Sequence, residues 1–163
     1  MIFILGGLGL LAVLLEVSRR TWNPVEMLFE KYFNSMLRKE EYEGRMTGAT
    51  WMLFGSTITI FLFPKEVAVA AIIFLSVGDT FTAWIGQLYP VGKIGKKSIS
   101  GTVAGVISSC LVLLVLPLSI SPSLIIFGAI FSMGVELVPL PINDNLTIPL
   151  SGAMAIQFGS LIL

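Results

Sequence analysis

The chain has 163 residues, 55% of them hydrophobic, with ten basic and ten acidic side chains and no histidine. Charged residues make up 12%, about half the usual globular share, which is too little to coat a water-facing surface. A formal net charge of zero argues against nucleic acid as a partner, since phosphate contacts need a basic excess. The missing histidine removes a His general base, a Ser-His-Asp triad and every His-ligated zinc site.

The apolar runs predict one all-α domain covering 1–163. It is a polytopic transmembrane helix bundle with about six spans, at roughly 1–17, 47–63, 66–88, 100–118, 122–138 and 147–163. The first run, Ile2 to Val17, has no basic flank before it and reads as a retained span rather than a cleaved signal. Being short, it tilts little or thins the bilayer.

The next segment, about 22–43, reads as an amphipathic helix. Asn23-Pro24-Val25-Glu26 offers a cap, a proline at the first helical position and an acidic third position. Val25, Leu28, Phe29, Tyr32, Met36 and Leu37 then form an apolar stripe opposite Glu30, Lys31, Arg38 and Glu41. Such a helix lies in the membrane interface or docks against the bundle, and either placement covers a lipid-facing site.

The third span is interrupted by Gly78-Asp79-Thr80 and Gly86, which predicts a broken or partly unwound helix lining a polar cavity. Pro64, Pro117, Pro122 and Pro139 punctuate helix ends. Cys110 lies mid-span without a disulfide partner and reads as packing. Gly101-x-x-x-Gly105 suggests close helix contact.

Orientation follows from the basic residues. Arg19, Arg20, Lys31, Arg38, Lys39 and Arg45 follow span one, Lys93, Lys96 and Lys97 follow span three, and only Lys65 falls on the other side. This pattern puts 18–46, 89–99 and the Asn143-Asp144-Asn145 loop in the cytoplasm, with both termini outside a cell membrane.

The candidate chemistry gathers on that side. Ser98 or Ser100 can cap the fourth span, leaving the free amides of its helix start facing the cytoplasm as an anion site. Lys93, Lys96 and Lys97 add positive charge there, and Gly92, Gly95 and Gly101 admit close backbone approach. A triphosphate is the natural guest. The same lysines also suit a positive-inside flank, a reading that leaves the glycine and serine spacing unexplained. The order of a Walker A loop is absent.

Asp79 follows a strongly apolar run and needs a cation, donors or water. Mg²⁺ on a nucleotide or a lysine of the 93–97 cluster would serve. Asp79 with Asp144 fits the one or two carboxylates that Mg²⁺ prefers beside substrate phosphates. Glu136 would ligate, act as a base or pair with a lysine. Asn143 and Asn145 suit either base and ribose contacts or Asx turns. Glu16 and Arg19 form an i,i+3 pair that holds span one against the site or touches a phosphate.

These residues together resemble the CTP-dependent lipid kinase branch of the phosphatidate cytidylyltransferase superfamily, which includes dolichol kinase, phytol kinase and CTP-dependent diacylglycerol kinase. The likeness is carried by Glu16-x-x-Arg19, Arg45-x-x-Gly48, Gly78-Asp79-Thr80 with Ala83, Gly86, Gly92, Lys96-Lys97-Ser98-x-x-Gly101-Thr102, Glu136 and Asp144-Asn145-Leu146-x-x-Pro149-Leu150. They run over most of the chain in the family's order.

The resemblance implies that Asp79 and Asp144 hold the divalent metal and that Lys96, Lys97 and Ser98 bind CTP phosphates, within a nucleotide site that takes in Gly92, Lys93, Gly101, Thr102 and Asn145. It also implies that Asn145 and Glu136 complete the site, with Asp79, Glu136 and Lys97 as its catalytic groups. Two departures stand out. Ser100 occupies a place where the family often carries an acidic residue, and the acidic, Arg-containing C-terminal signature of the cytidylyltransferases is absent.

The implied activity is Mg²⁺-dependent phosphorylation of a membrane lipid alcohol, polyprenol-type or diacylglycerol-type, with CTP as donor at the cytoplasmic face. Its alternatives are a CTP:phospholipid cytidylyltransferase, which attacks the α-phosphorus at the same site, and a small transporter or binding protein. So small a bundle is compatible with a homodimer, although no residue requires one.

Overall fold

The computed structural model describes residues 2–33, 41 and 45–162, and within them it is overwhelmingly helical. Helix α1 spans Ile2–Thr21 and α2 spans Asn23–Phe33. Only Trp22 separates them, and its carbonyl accepts from the Val25 and Glu26 amides. The helix start therefore lies one residue upstream of the expected Asn23 cap, with Asn23 inside the helix. Trp22, Met27, Leu28 and Tyr32 are exposed, while Met36 and Leu37 of the expected stripe, and Arg38 on its polar side, lie outside the described residues.

Next come α3 (Gly48–Leu62), α4 (Lys65–Ile73), a π turn (Phe74–Gly78) and α5 (Asp79–Leu88). A two-stranded hairpin, β1 (Lys93–Ile94) with β2 (Lys97–Ser98), leads into α6 (Ile99–Val115), α7 (Pro122–Leu137) and α8 (Asp144–Gly159). Among the described residues, the hairpin is the one feature that departs from an all-α reading.

The helix expected to be broken or partly unwound near Gly78 is not broken, and its irregularity there is a π turn. Helix continues from Lys65 to Leu88, 24 residues, long and apolar enough to cross a membrane. An extra residue is accommodated by the π turn, where the Asp79 amide donates to the Phe74 carbonyl, so no backbone group is released into apolar surroundings. The other apolar helices, α3, α6 and α7, are shorter.

The core joins Phe74 and Leu75 of the π turn to Leu113 of α6, Met133 of α7 and Ile148 and Ile156 of α8. Packing is close because the contact surfaces are small. A Cβ on Gly105 would stand 2.1 Å from Thr82 Oγ1 and one on Gly101 2.4 Å from the Thr82 carbonyl. The α6 and α5 backbones thus touch, as the Gly101–Gly105 spacing predicts.

Buried hydroxyls are satisfied within the bundle. Thr59 and Ser109 donate to carbonyls four residues back, and Ser132 donates across to the Ile148 carbonyl at 2.8 Å. The large apolar side chains Phe61, Leu111, Val115, Phe131 and Phe158 point outward.

Candidate functional site

Three segments meet at one end of the bundle to enclose a cavity of about 730 Å³. α5 contributes Asp79, Thr82, Ala83, Gly86 and Gln87, and the hairpin region contributes Pro90, Lys93, Lys96, Lys97 and Ser98. The α7–α8 connection and the start of α8 supply Leu140, Ile142, Asn143, Asp144 and Asn145. The size falls within the range of small-molecule sites. The α5 residues recur at helical spacing from Asp79, so the helix turns one continuous face to the cavity.

The hairpin is shaped by glycine at two positive-φ positions, Gly92 at 66° and Gly95 at 60°. Lys93 pairs with Ser98 and Ile94 with Lys97. Ser100, which stands where an acidic residue was expected, donates its hydroxyl to the Tyr89 carbonyl and accepts from the Val91 amide, tying the base of the hairpin. Ser98 is the α6 cap, accepting from the Gly101 amide at 3.2 Å.

This geometry corrects one expectation. The first amides of α6 are not free: Ile99 donates to the Gly92 carbonyl at 3.0 Å, Ser100 to the Val91 carbonyl at 3.3 Å, and Gly101 to Ser98. The Val91–Gly92 segment before β1, together with Ser98, caps the helix, so its first amides are consumed internally and positive charge at the cavity rests on the lysines.

Lys97 is the centre of the site. Its ammonium bonds Glu136 Oε1 in a short contact and Asp144 Oδ2 at 2.9 Å. Burial disfavours the charged ammonium, but hydrogen bonds and charge from Glu136 and Asp144 outweigh it and hold the Lys97 pKa above the ordinary lysine value. Glu136 ends α7 at 3% exposure, and its second oxygen, Oε2, has no hydrogen-bond partner. A buried carboxylate oxygen without a donor is costly and calls for an explanation.

Asp144 and Asn145 were expected in a loop. They instead form the first turn of α8, because Asn143 accepts from the Asn145 amide at 3.0 Å and caps the helix. The Asn145 side-chain amide donates to the Gly48 carbonyl at 2.8 Å.

Of the expected site residues, Asp79, Lys93, Lys96, Lys97, Ser98, Asp144 and Asn145 therefore converge on the cavity, and Glu136 abuts Lys97. Gly92, Gly101 and Thr102 do not line it. Gly92 shapes the hairpin, Gly101 packs on α5, and the Thr102 hydroxyl donates to the Ser98 carbonyl at 3.2 Å. Thr82, Gln87, Leu140 and Ile142 do line it and were missed, although the spacing of Thr82 from Asp79 was a usable signal.

Among the described residues, no three acidic or cysteine side chains group as a metal cage. Mg²⁺ needs none, since it binds through one or two carboxylates and keeps its remaining positions for water and phosphate. Asp79 and Asp144 on the cavity wall, with the unpartnered Glu136 oxygen close by, fit that demand.

An uncharacterized protein of Rickettsia prowazekii is 30% identical over 145 residues, covering 84% of this chain and 71% of that protein. CTP-dependent diacylglycerol kinase 1 of Saccharomyces cerevisiae is 29% identical over 94 residues, 56% of this chain and 32% of the kinase. Its counterpart in Eremothecium gossypii is 32% identical over 103 residues, 59% of this chain and 32% of the kinase. The chain thus spans about a third of the length of these kinases. The likeness supports the CTP-dependent lipid kinase family. No family model and no solved structure matches.

Proposed function

The chain belongs to the family of the Rickettsia prowazekii protein, and from its distant likeness to CTP-dependent diacylglycerol kinases together with the charge pattern of its cavity we propose that it is a membrane lipid kinase. It transfers the γ-phosphoryl group of CTP to the hydroxyl of a lipid alcohol of the diacylglycerol or polyprenol class. The observation that carries this reading is Lys97, held between Glu136 and Asp144 beside a cavity that also presents Asp79, Lys93 and Lys96.

The bilayer setting is supported by a surface of exposed Phe, Leu, Ile and Val around a core whose buried hydroxyls are satisfied internally, the arrangement lipid requires. Six helical segments act as spans, α4 and α5 counting as one, with the cavity at the cytoplasmic face where the basic residues concentrate.

Lys93 and Lys96 on the rim draw in the triphosphate. Lys97 is fixed by two carboxylates, so its charge is already placed for the oxygens of the transferring group; such preorganised charge supplies most of the catalysis in phosphoryl transfer. Asp79 and Asp144 would hold Mg²⁺, which supplies charge neutralisation on the phosphate oxygens. The lipid enters over Leu140 and Ile142, exposed apolar residues on the cavity edge. Its hydroxyl oxygen bonds to the γ-phosphorus, the bond from that phosphorus to the bridging oxygen breaks, and CDP leaves. A carboxylate of the site takes the hydroxyl proton, either Asp79 on the cavity wall or Glu136 behind Lys97.

Turnover of the purified chain in mixed micelles with CTP or ATP, and with diacylglycerol or polyprenol as acceptor, tests the proposal. Phosphorylated lipid formed preferentially from CTP is the expected product. Nucleotide binding without any lipid product would overturn it.

A further inference from the structure

Glu16, Arg19 and Gly48 stand out in the sequence, yet none lines the cavity. The structure gives them a common place. Glu16 is 5% exposed and Arg19 8%. Glu16 Oε2 accepts from Arg19 at 2.8 Å, and Glu16 Oε1 accepts from the Thr47 amide at 2.8 Å and the Thr50 hydroxyl at 3.4 Å. Arg19 donates onward to the Glu41 and Arg45 carbonyls, and Glu41 Oε1 accepts from the Gly48 amide at 2.8 Å. Two carboxylates thereby take up orphan amides at the start of α3.

The start of α3 is in turn clasped to α8. The Gly48 carbonyl accepts from the Asn145 side chain at 2.8 Å. About two turns along α3, a Cβ on Gly55 would stand only 2.3 Å from the Asn145 carbonyl and 3.2 Å from Leu146 Cα. That carbonyl is free for so close an approach because Pro149, inside α8, has no N–H to donate back to it. The first turn of α8 is therefore seated on α3 at Gly48 and at Gly55. Asp144 lies between the Asn143 cap and the Asn145 tether.

We propose that this buried assembly, running from Glu16 and Arg19 through the start of α3 to Asn145, is a positioning device that fixes Asp144 against Lys97. It deepens the kinase reading and rests on it for its catalytic meaning, but its mechanical content stands apart. Asn145 acts here as a tether to Gly48 rather than as a reader of the nucleotide base. Glu16 and Arg19 are positioning residues, because neither lines the cavity.

A graded pair of substitutions tests it. Gly48→Ala places a Cβ 3.2 Å from Asn145 Nδ2, so the tether yields by a few tenths of an ångström. Gly55→Ala drives a methyl group into the α8 backbone, so the first turn of α8 must move by about an ångström, while α3 itself gains helix propensity. Amide hydrogen exchange in detergent, without nucleotide, should quicken over Asn145–Ile148 in the order wild type, Gly48→Ala, Gly55→Ala, with the α6 core unchanged. In the lipid kinase assay the Mg²⁺ concentration for half-maximal rate should rise in the same order, and turnover of Gly55→Ala should fall roughly 100-fold, as for a misplacement of that size. The CTP/ATP preference should stay constant.

Exchange at the α8 start that does not respond to Gly55→Ala overturns the positioning device, whatever the activity. A CTP/ATP preference altered by Gly48→Ala also overturns it, since Asn145 would then be reading the base. If the wild type phosphorylates no lipid, the kinase reading fails, while the exchange order still decides the positioning claim.

Discussion

Lys97 Nζ lies 2.9 Å from Asp144 Oδ2, across a sequence separation of 47 residues, while the same ammonium bonds Glu136 of α7. A single lysine thereby fastens the hairpin to two helices and holds a cation beside a cavity of nucleotide size. A lysine serving only as a positive flank would sit in water, with no need of two carboxylates.

Lys97→Met should abolish lipid phosphorylation and destabilise the fold by about 2 kcal/mol, less than for a fully buried pair because Lys97 is partly exposed. The pH dependence has a definite sign. The folded pKa of Lys97 is raised, so its contribution is complete below the ordinary value of 10.5 and is lost as pH rises through the higher folded value. Thermal melts at strongly alkaline pH should show the difference between wild type and Lys97→Met shrinking as pH rises through that folded value. A difference that keeps growing across that alkaline range would contradict the assignment.

Asp79→Asn preserves shape and removes a charge from the cavity wall. The protein should extract and melt like the wild type but lose at least about 100-fold in turnover, the order expected when one preplaced electrostatic group is removed. A near-normal rate at saturating Mg²⁺ would take Asp79 out of the metal site.

Leu140 and Ile142 are 43% and 48% exposed, yet both line the cavity. Replacing both by Ser should raise KM for a long-chain acceptor roughly tenfold, in line with the apolar area lost, and leave KM for CTP unchanged. A short-chain, micelle-free acceptor should be used about equally well by both proteins. Parallel losses for the two acceptors would mean that the lipid enters elsewhere.

The helices of the apolar segments were legible because each is a mostly apolar run bounded by proline or charge, and their limits fell within a few residues of those observed; of the amphipathic helix expected over about 22–43, the described part is Asn23–Phe33. The path of the chain around the site was less so. Strands of two residues, Lys93–Ile94 and Lys97–Ser98, are too short to show any periodicity. Asn143 reads equally well as a loop residue or a cap until the Asn145 amide is seen bonded to it. The helix-start anion site failed for a reason outside its own residues, since the carbonyls of Val91 and Gly92 reach the α6 amides first. Gly78 beside Asp79 suggested a break, yet a π turn accommodates the extra residue without one. The lysine cluster and the acidic residues were each visible, but that Lys97 joins Glu136 to Asp144 is a property of the packed chain alone.

The central claim is tested most directly by following label from CTP carrying it at either the α or the γ phosphate. The purified chain in lipid micelles with Mg²⁺ would be offered diacylglycerol, a polyprenol and phosphatidate. The account predicts that γ label enters a lipid alcohol and that α label stays in the released CDP. Label from the α phosphate in lipid, as a cytidylyltransferase would leave it, or no label in any lipid would contradict it.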